Sequence, residues 1–149
     1  MHVAGKCHCG RVSFTAEVDE SKVMVCHCDD CQSISGAAFR ANAVVPIESF
    51  KITGPTKSYV KVAQSGNQRA QVFCPECGTA LYSAATENPS AVVLRLGCVQ
   101  QRAQLAPKFQ IWQRSAMPWV GSLAAIESFA EQPSMPTPPA GVAQLQSGA

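Results

Sequence analysis

The stretch Phe73-Cys74-Pro75-Glu76-Cys77-Gly78-Thr79 sets two thiols at a spacing that lets one tight turn aim both at a single ion. Gly78 suits the backbone angles that follow such a turn. A tetrahedral zinc site needs two more ligands, so this stretch predicts a fold closed by metal at a point remote in sequence. The chain carries eight cysteines, at positions 7, 9, 26, 28, 31, 74, 77 and 98. Cys7-His8-Cys9-Gly10 offers one completing pair. On a strand, residues two apart point the same way, so both sulfurs reach one ion while His8 faces away. Cys7, Cys9, Cys74 and Cys77 would then form a saturated site with no open position, whose role is structural. The third group, Cys26-His27-Cys28-Asp29-Asp30-Cys31, holds three sulfurs within six residues. Three protein ligands and an exchangeable fourth position are the pattern of a catalytic zinc, and a substrate thiol held there would be a thiolate at neutral pH. A zinc ribbon pairing Cys28-x-x-Cys31 with Cys74-x-x-Cys77 satisfies the spacings equally well and leaves Cys7, Cys9 and Cys26 spare. Spacing alone does not separate the two arrangements.

The metal reading depends on compartment. No run approaches the roughly 20 apolar residues that span a bilayer, and the first six residues hold no apolar segment of the secretory kind. A cytoplasmic protein with no membrane partner is expected, and disulfides rarely persist there. The net charge is +2 and the Lys and Arg residues are scattered, which argues against a nucleic-acid surface.

Around the cysteines the pattern is β. Val12, Phe14, Ala16 and Val18 alternate with polar or small residues, the two-residue period of a half-buried strand. Further short strands are expected at 23–26, 38–45, 59–63, 70–73, 80–82, 91–98 and 109–112, separated by turns at 54–55, 65–67 and 87–90. No window of 12 or more residues shows helical periodicity, and one helical turn is expected at 46–50 with Pro46 at its first position. With 149 residues, the chain fits one zinc domain over 1–131. The Pro-rich stretch 132–149 lacks period and aromatics and reads as a flexible tail.

The ordered set Gly5-x-Cys7-x-Cys9-Gly10-x-Val12-x-Phe14, Cys26-His27-Cys28-x-x-Cys31-Gln32, Phe73-Cys74-x-x-Cys77-Gly78-Thr79-x-Leu81 and Ile111-Trp112-x-x-Ser115-x-x-Pro118-Trp119 resembles the glutathione-dependent formaldehyde-activating enzyme family, whose domain is shared with centromere protein V. The resemblance spans roughly residues 3–130. It implies an all-β, Mss4-like zinc fold with short strands and few or no helices, and two zinc ions per chain. Structural zinc would lie on Cys7, Cys9, Cys74 and Cys77, and a labile catalytic zinc on Cys26, Cys28 and Cys31. It also implies a carbon–sulfur lyase joining glutathione, or a similar thiol, to formaldehyde or another small aldehyde. The alternative is a non-catalytic zinc module that binds a protein or a thiol ligand.

Other residues carry plainer expectations. Cys98 reads as core packing on a buried strand. His27 is expected to face away from the ion at the surface or behind the ligands, and Asp29 and Asp30 to be solvated turn residues. Arg40, Arg69, Arg95 and Arg114 are candidates to pair with glutathione carboxylates. Each read alone is an ordinary surface charge. Trp112 and Trp119 read as core or rim aromatics.

Overall fold

A computed structural model describes residues 1–63 and 66–133, so the tail read at 132–149 lies almost wholly outside the described residues, as does part of the turn at 65–67. The chain divides into two compact units, Met1–Pro118 and Trp119–Ala149. In the first, ten strands run in chain order: β1 His2–Lys6, β2 Ser13–Glu17, β3 Val23–Cys26, β4 Arg40–Pro46, β5 Lys51–Thr53, β6 Lys57–Val62, β7 Gln68–Phe73, β8 Ala80–Ala85, β9 Ala91–Arg95 and β10 Phe109–Ile111. One α-helix, α1 Asp29–Ser35, follows β3. A 3-10 segment, Pro118–Ala125, leads into the second unit. No helix among the described residues is long and apolar enough to cross a membrane.

The strands form a three-stranded sheet, β1-β2-β5, and a seven-stranded sheet, β10-β3-β4-β9-β8-β7-β6. All pairings are antiparallel except β10 on β3. The fold is therefore all-β, as expected, and most strands fall where alternation placed them. Two short strands, β1 and β5, lack enough alternation to be read. The expected strand at 91–98 ends at Arg95 and continues as a 3-10 turn, Leu96–Cys98. The helical turn expected at 46–50 is the 3-10 segment Ile47–Ser49, with Pro46 closing β4 just before it.

The large sheet has two unlike faces because strand side chains alternate. Val23, Ala43, Leu94 and Tyr82 are register partners across β3, β4, β9 and β8. They join one apolar cluster with Val3, Phe14 and Ala16 of the small sheet. Leu81 and Leu94 are fully buried in it, each contributing about 1.5–3 kcal/mol relative to exposure. Phe50 bridges the sheets, its ring tilted against Phe14 at 5.8 Å and edge-on at 4.9 Å to Tyr82. Gly5 makes the junction possible: a Cβ there would lie 2.1 Å from Phe14 Cζ and 2.6 Å from the Cys98 carbonyl. The opposite face is polar. The register aligns Met24 with Asn42 and Asn42 with Arg95, Cys26 with Arg40, and Gln71 with Ser83.

Candidate metal centres and the cavity beside them

Two cysteine clusters form, and they are the two expected sets. The Sγ atoms of Cys7, Cys9, Cys74 and Cys77 all lie within 4.8 Å of one another, as do those of Cys26, Cys28 and Cys31. None of the eight cysteines is in a disulfide. The ribbon pairing of Cys28 and Cys31 with Cys74 and Cys77 is overturned, because the strands carry these pairs into different clusters.

In the four-sulfur cluster, Cys7 and Cys9 Sγ are 3.5 Å apart and Cys9 and Cys74 Sγ 3.8 Å. Four sulfurs about 2.3 Å from one ion would sit about 3.8 Å apart, so this donor set fits a tetrahedral divalent metal. Both pairs sit in turns. Residues 7–10 are a turn, not the expected strand, and the Gly10 amide donates to the Cys7 carbonyl at 3.1 Å. The second turn is closed by the Gly78 amide donating to the Cys74 carbonyl at 3.0 Å, with Gly78 at φ +68°, a conformation that favours glycine. Thr79 joins the turns, since its hydroxyl accepts from the His8 amide at 3.0 Å and lies 3.1 Å from Cys77 Sγ. That hydroxyl, with backbone amides, pulls the Cys77 thiol down to about 5. At Cys9 a hydrogen bond from the Arg11 backbone pulls the same way, but burial and the neighbouring sulfurs outweigh it and push the thiol up to about 12.

The three-sulfur cluster straddles the end of β3 and the start of α1. Cys28 caps the helix, its sulfur accepting from the Cys31 amide at 3.4 Å. Asp29 and Asp30 are solvated, as expected, but stand in the first turn of the helix, at the end whose exposed amides favour negative charge. Asp30 is ion-paired with Lys61. Cys26 Sγ lies 3.5 Å from Cys28 Sγ. A hydrogen bond from the Cys31 side chain, helped by Cys28, pulls Cys26 down to about 5, and the Cys26 side chain correspondingly pushes Cys31 upward. Among the described residues no fourth Cys, His, Asp or Glu joins these three.

His27 lies outside the cluster, as alternation predicted, yet it is buried rather than at the surface. It packs on Phe39 at 5.7 Å, and its Nε2 sits 2.8 Å from Gln110 Oε1. Gln32 carries no signal in the sequence beyond its place in the motif. Its side-chain amide donates to the carbonyls of His27 at 2.7 Å and Ser115 at 2.8 Å, clamping α1 to the segment after β10.

The sulfurs open onto a cavity of about 830 Å³ over the polar face of the large sheet. Arg40, Arg69, Arg95 and Arg114 all line it. Arg40 and Arg95 are only 6% and 7% exposed, so neither is the ordinary surface charge expected from sequence. Trp112 is a rim residue, 40% exposed, with the Arg114 guanidinium 4.8 Å over its ring. Cys98 is core, as expected: its thiol donates to the Arg95 carbonyl at 3.0 Å, and burial pushes it up to about 11.

Comparison with known proteins gives three likenesses. The sequence model of the family described as glutathione-dependent formaldehyde-activating enzyme matches residues 2–115. A Schizosaccharomyces pombe protein named as an uncharacterised lyase is 30% identical over 87 residues, 57% of this chain and 61% of that protein. The match thus spans less than two thirds of that relative. A solved Rhodobacter sphaeroides structure, 16% identical, aligns with a TM-score of 0.55 over 72% of this chain and 98% of its own, which shows a shared fold.

Proposed function

The chain belongs to the glutathione-dependent formaldehyde-activating enzyme family, and on that premise we propose that it is a zinc-dependent carbon–sulfur lyase acting on the adduct of glutathione, or a similar thiol, with a small aldehyde. One observation carries the reading: three sulfurs converge beside a cavity of about 830 Å³, with no fourth protein ligand among the described residues. Cys7, Cys9, Cys74 and Cys77 would hold a structural zinc, and Cys26, Cys28 and Cys31 a second one with a free position. Bound to the three cysteines, zinc would supply the positive charge that keeps a substrate thiol ionised at neutral pH.

The chain's own residues do the rest. The helix cap fixes Cys28, and the pairing of β3 with β4 and β10 fixes Cys26. The Gln32 clamp holds the first turn of α1, and with it Cys31, over the cavity. In the addition direction a carbon–sulfur bond forms, and the thiol proton ends on the former carbonyl oxygen. In the lyase direction both changes reverse. No Ser/His/Asp arrangement was legible in the sequence, so positioning is the main task left to the protein.

The test is zinc content with a glutathione titration, run on the wild type and on Cys28→Ser. Two zinc ions per chain are expected, one of them re-coordinated or released by glutathione. Serine can still cap α1, so the variant should keep its fold while adduct turnover falls at least about 100-fold, the upper range for disturbing a metal's surroundings. One tightly held ion indifferent to glutathione, or unchanged turnover in the variant, would sink the enzyme reading and leave a non-catalytic zinc module.

A further inference from the structure

The polar sheet face holds two buried cations that are paired with no carboxylate among the described residues. Charged side chains are almost never fully buried unless paired, and an unpaired buried charge is costly. Arg95 donates from Nη1 to Asn42 Oδ1 and from Nη2 to Gln71 Oε1 at 2.8 Å. Arg40 donates from Nη1 to the same Gln71 oxygen at 3.3 Å, and its Nη2 is buried with no partner. Both guanidiniums thus converge on one neutral amide oxygen. Among the described residues neither belongs to an ion pair; of the two carboxylates that line the cavity, Asp30 is taken by Lys61 and Asp29 pairs with neither arginine.

We propose that Arg40 and Arg95 form a carboxylate-binding floor in the cavity, which takes the anionic end of the ligand whose sulfur reaches Cys26, Cys28 and Cys31. Only the sulfur end rests on the thiol reading above; the anionic end rests on the two guanidiniums alone. Guanidinium forks match the planar, two-oxygen geometry of a carboxylate. A carboxylate between them would satisfy the orphaned Nη2 and replace a shared neutral oxygen with a charge. The guanidiniums meet at Gln71 on β7, while Cys26 ends β3, with β4, β9 and β8 between. A thiol that carries a carboxylate apart from its sulfur would engage both the cysteines and the guanidiniums. A short uncharged thiol would engage the cysteines alone.

The variants are Arg40→Met, which removes the charge and keeps an unbranched chain, and Arg95→Lys, which keeps the charge and loses the fork. Binding to the zinc-loaded full chain is measured by calorimetry for three probes: glutathione, 2-mercaptoethanol, and S-methylglutathione, which keeps both carboxylates and has no free thiol. Arg40→Met should weaken glutathione and S-methylglutathione at least about tenfold, the effect of losing one charge-assisted hydrogen bond or more. Binding of 2-mercaptoethanol should stay within about twofold. Arg95→Lys should give an intermediate loss with the fold intact, which keeps the test alive if Arg40→Met fails to fold. The Tm of Arg40→Met should equal or exceed that of the wild type, because a residue kept for a ligand rather than for the fold is released from an unpaired charge.

Equal weakening of all three probes would mean that the arginines merely balance the thiolates, and would overturn the proposal. So would unchanged binding of the two peptides, or inorganic phosphate displacing S-methylglutathione more strongly than acetate does. If no thiol engages the cysteines, the thiol reading fails on its own. S-methylglutathione binding that is lost in Arg40→Met would still uphold the carboxylate floor.

Discussion

Cys28 illustrates how much one side chain carries in this site. Its sulfur caps α1 through the Cys31 amide and also faces Cys26 at 3.5 Å, so it sets the helix start and supplies a donor at once. Cys26 is held down to about 5, first by the hydrogen bond from Cys31. A thiol whose folded pKa lies below its ordinary 9.0 contributes stability that is fully present above that value and is lost as pH falls through about 5. Zinc affinity follows the same sign, because the thiolate is the ligand. Zinc on the trio should thus survive dialysis at about pH 8 and be lost at about pH 4.5, read by metal analysis. Full retention at the lower pH would contradict the assignment of Cys26 as a ligand.

At the scale of elements, α1 spans only seven residues, Asp29–Ser35, and none of its residues is buried. Helices this short are marginal on their own, so its placement depends on its cap and on side-chain contacts. The Gln32 amide, at its middle, makes two of these, tying the helix to the His27 and Ser115 carbonyls. Gln32→Leu removes both bonds and leaves two carbonyls unsatisfied, at a cost of about 1–3 kcal/mol. The expected signature is a lower Tm together with a roughly 10–100-fold weaker second zinc site, measured by chelator competition. A loss of stability without any change in zinc affinity would show that the clamp serves only the fold.

At the scale of the molecule, the four-sulfur cluster is a long-range staple, joining Cys9 to Cys74 across 65 residues. It sits at the edge of the apolar cluster, to which Cys7 and Cys74 both belong. The two metals should therefore differ in what their removal does. A mild chelator should strip the trio first with little change in melting, while loss of the second ion should lower Tm sharply. Cys74→Ser should reproduce that second loss, because metal binding there is folding free energy. A Cys74→Ser variant that melts like the wild type would refute the structural role.

The three cysteine groups were legible because each is local: Cys26, Cys28 and Cys31 lie within six residues, and the two knuckles within a few residues each. The strands were legible from alternation that each carries within itself. The sequence by itself thus determined the three thiol groups able to ligate a metal and the all-β class. What it left open depends on register between strands far apart in the chain. Asn42 meets Arg95, and Cys26 meets Arg40, only when β3, β4 and β9 pair as they do. That register turned two arginines that read as surface charges into a buried pair beside the sulfurs. Tertiary structure also chose between the two zinc pairings, because ligand spacing constrains each turn while only the sheets decide which turns meet.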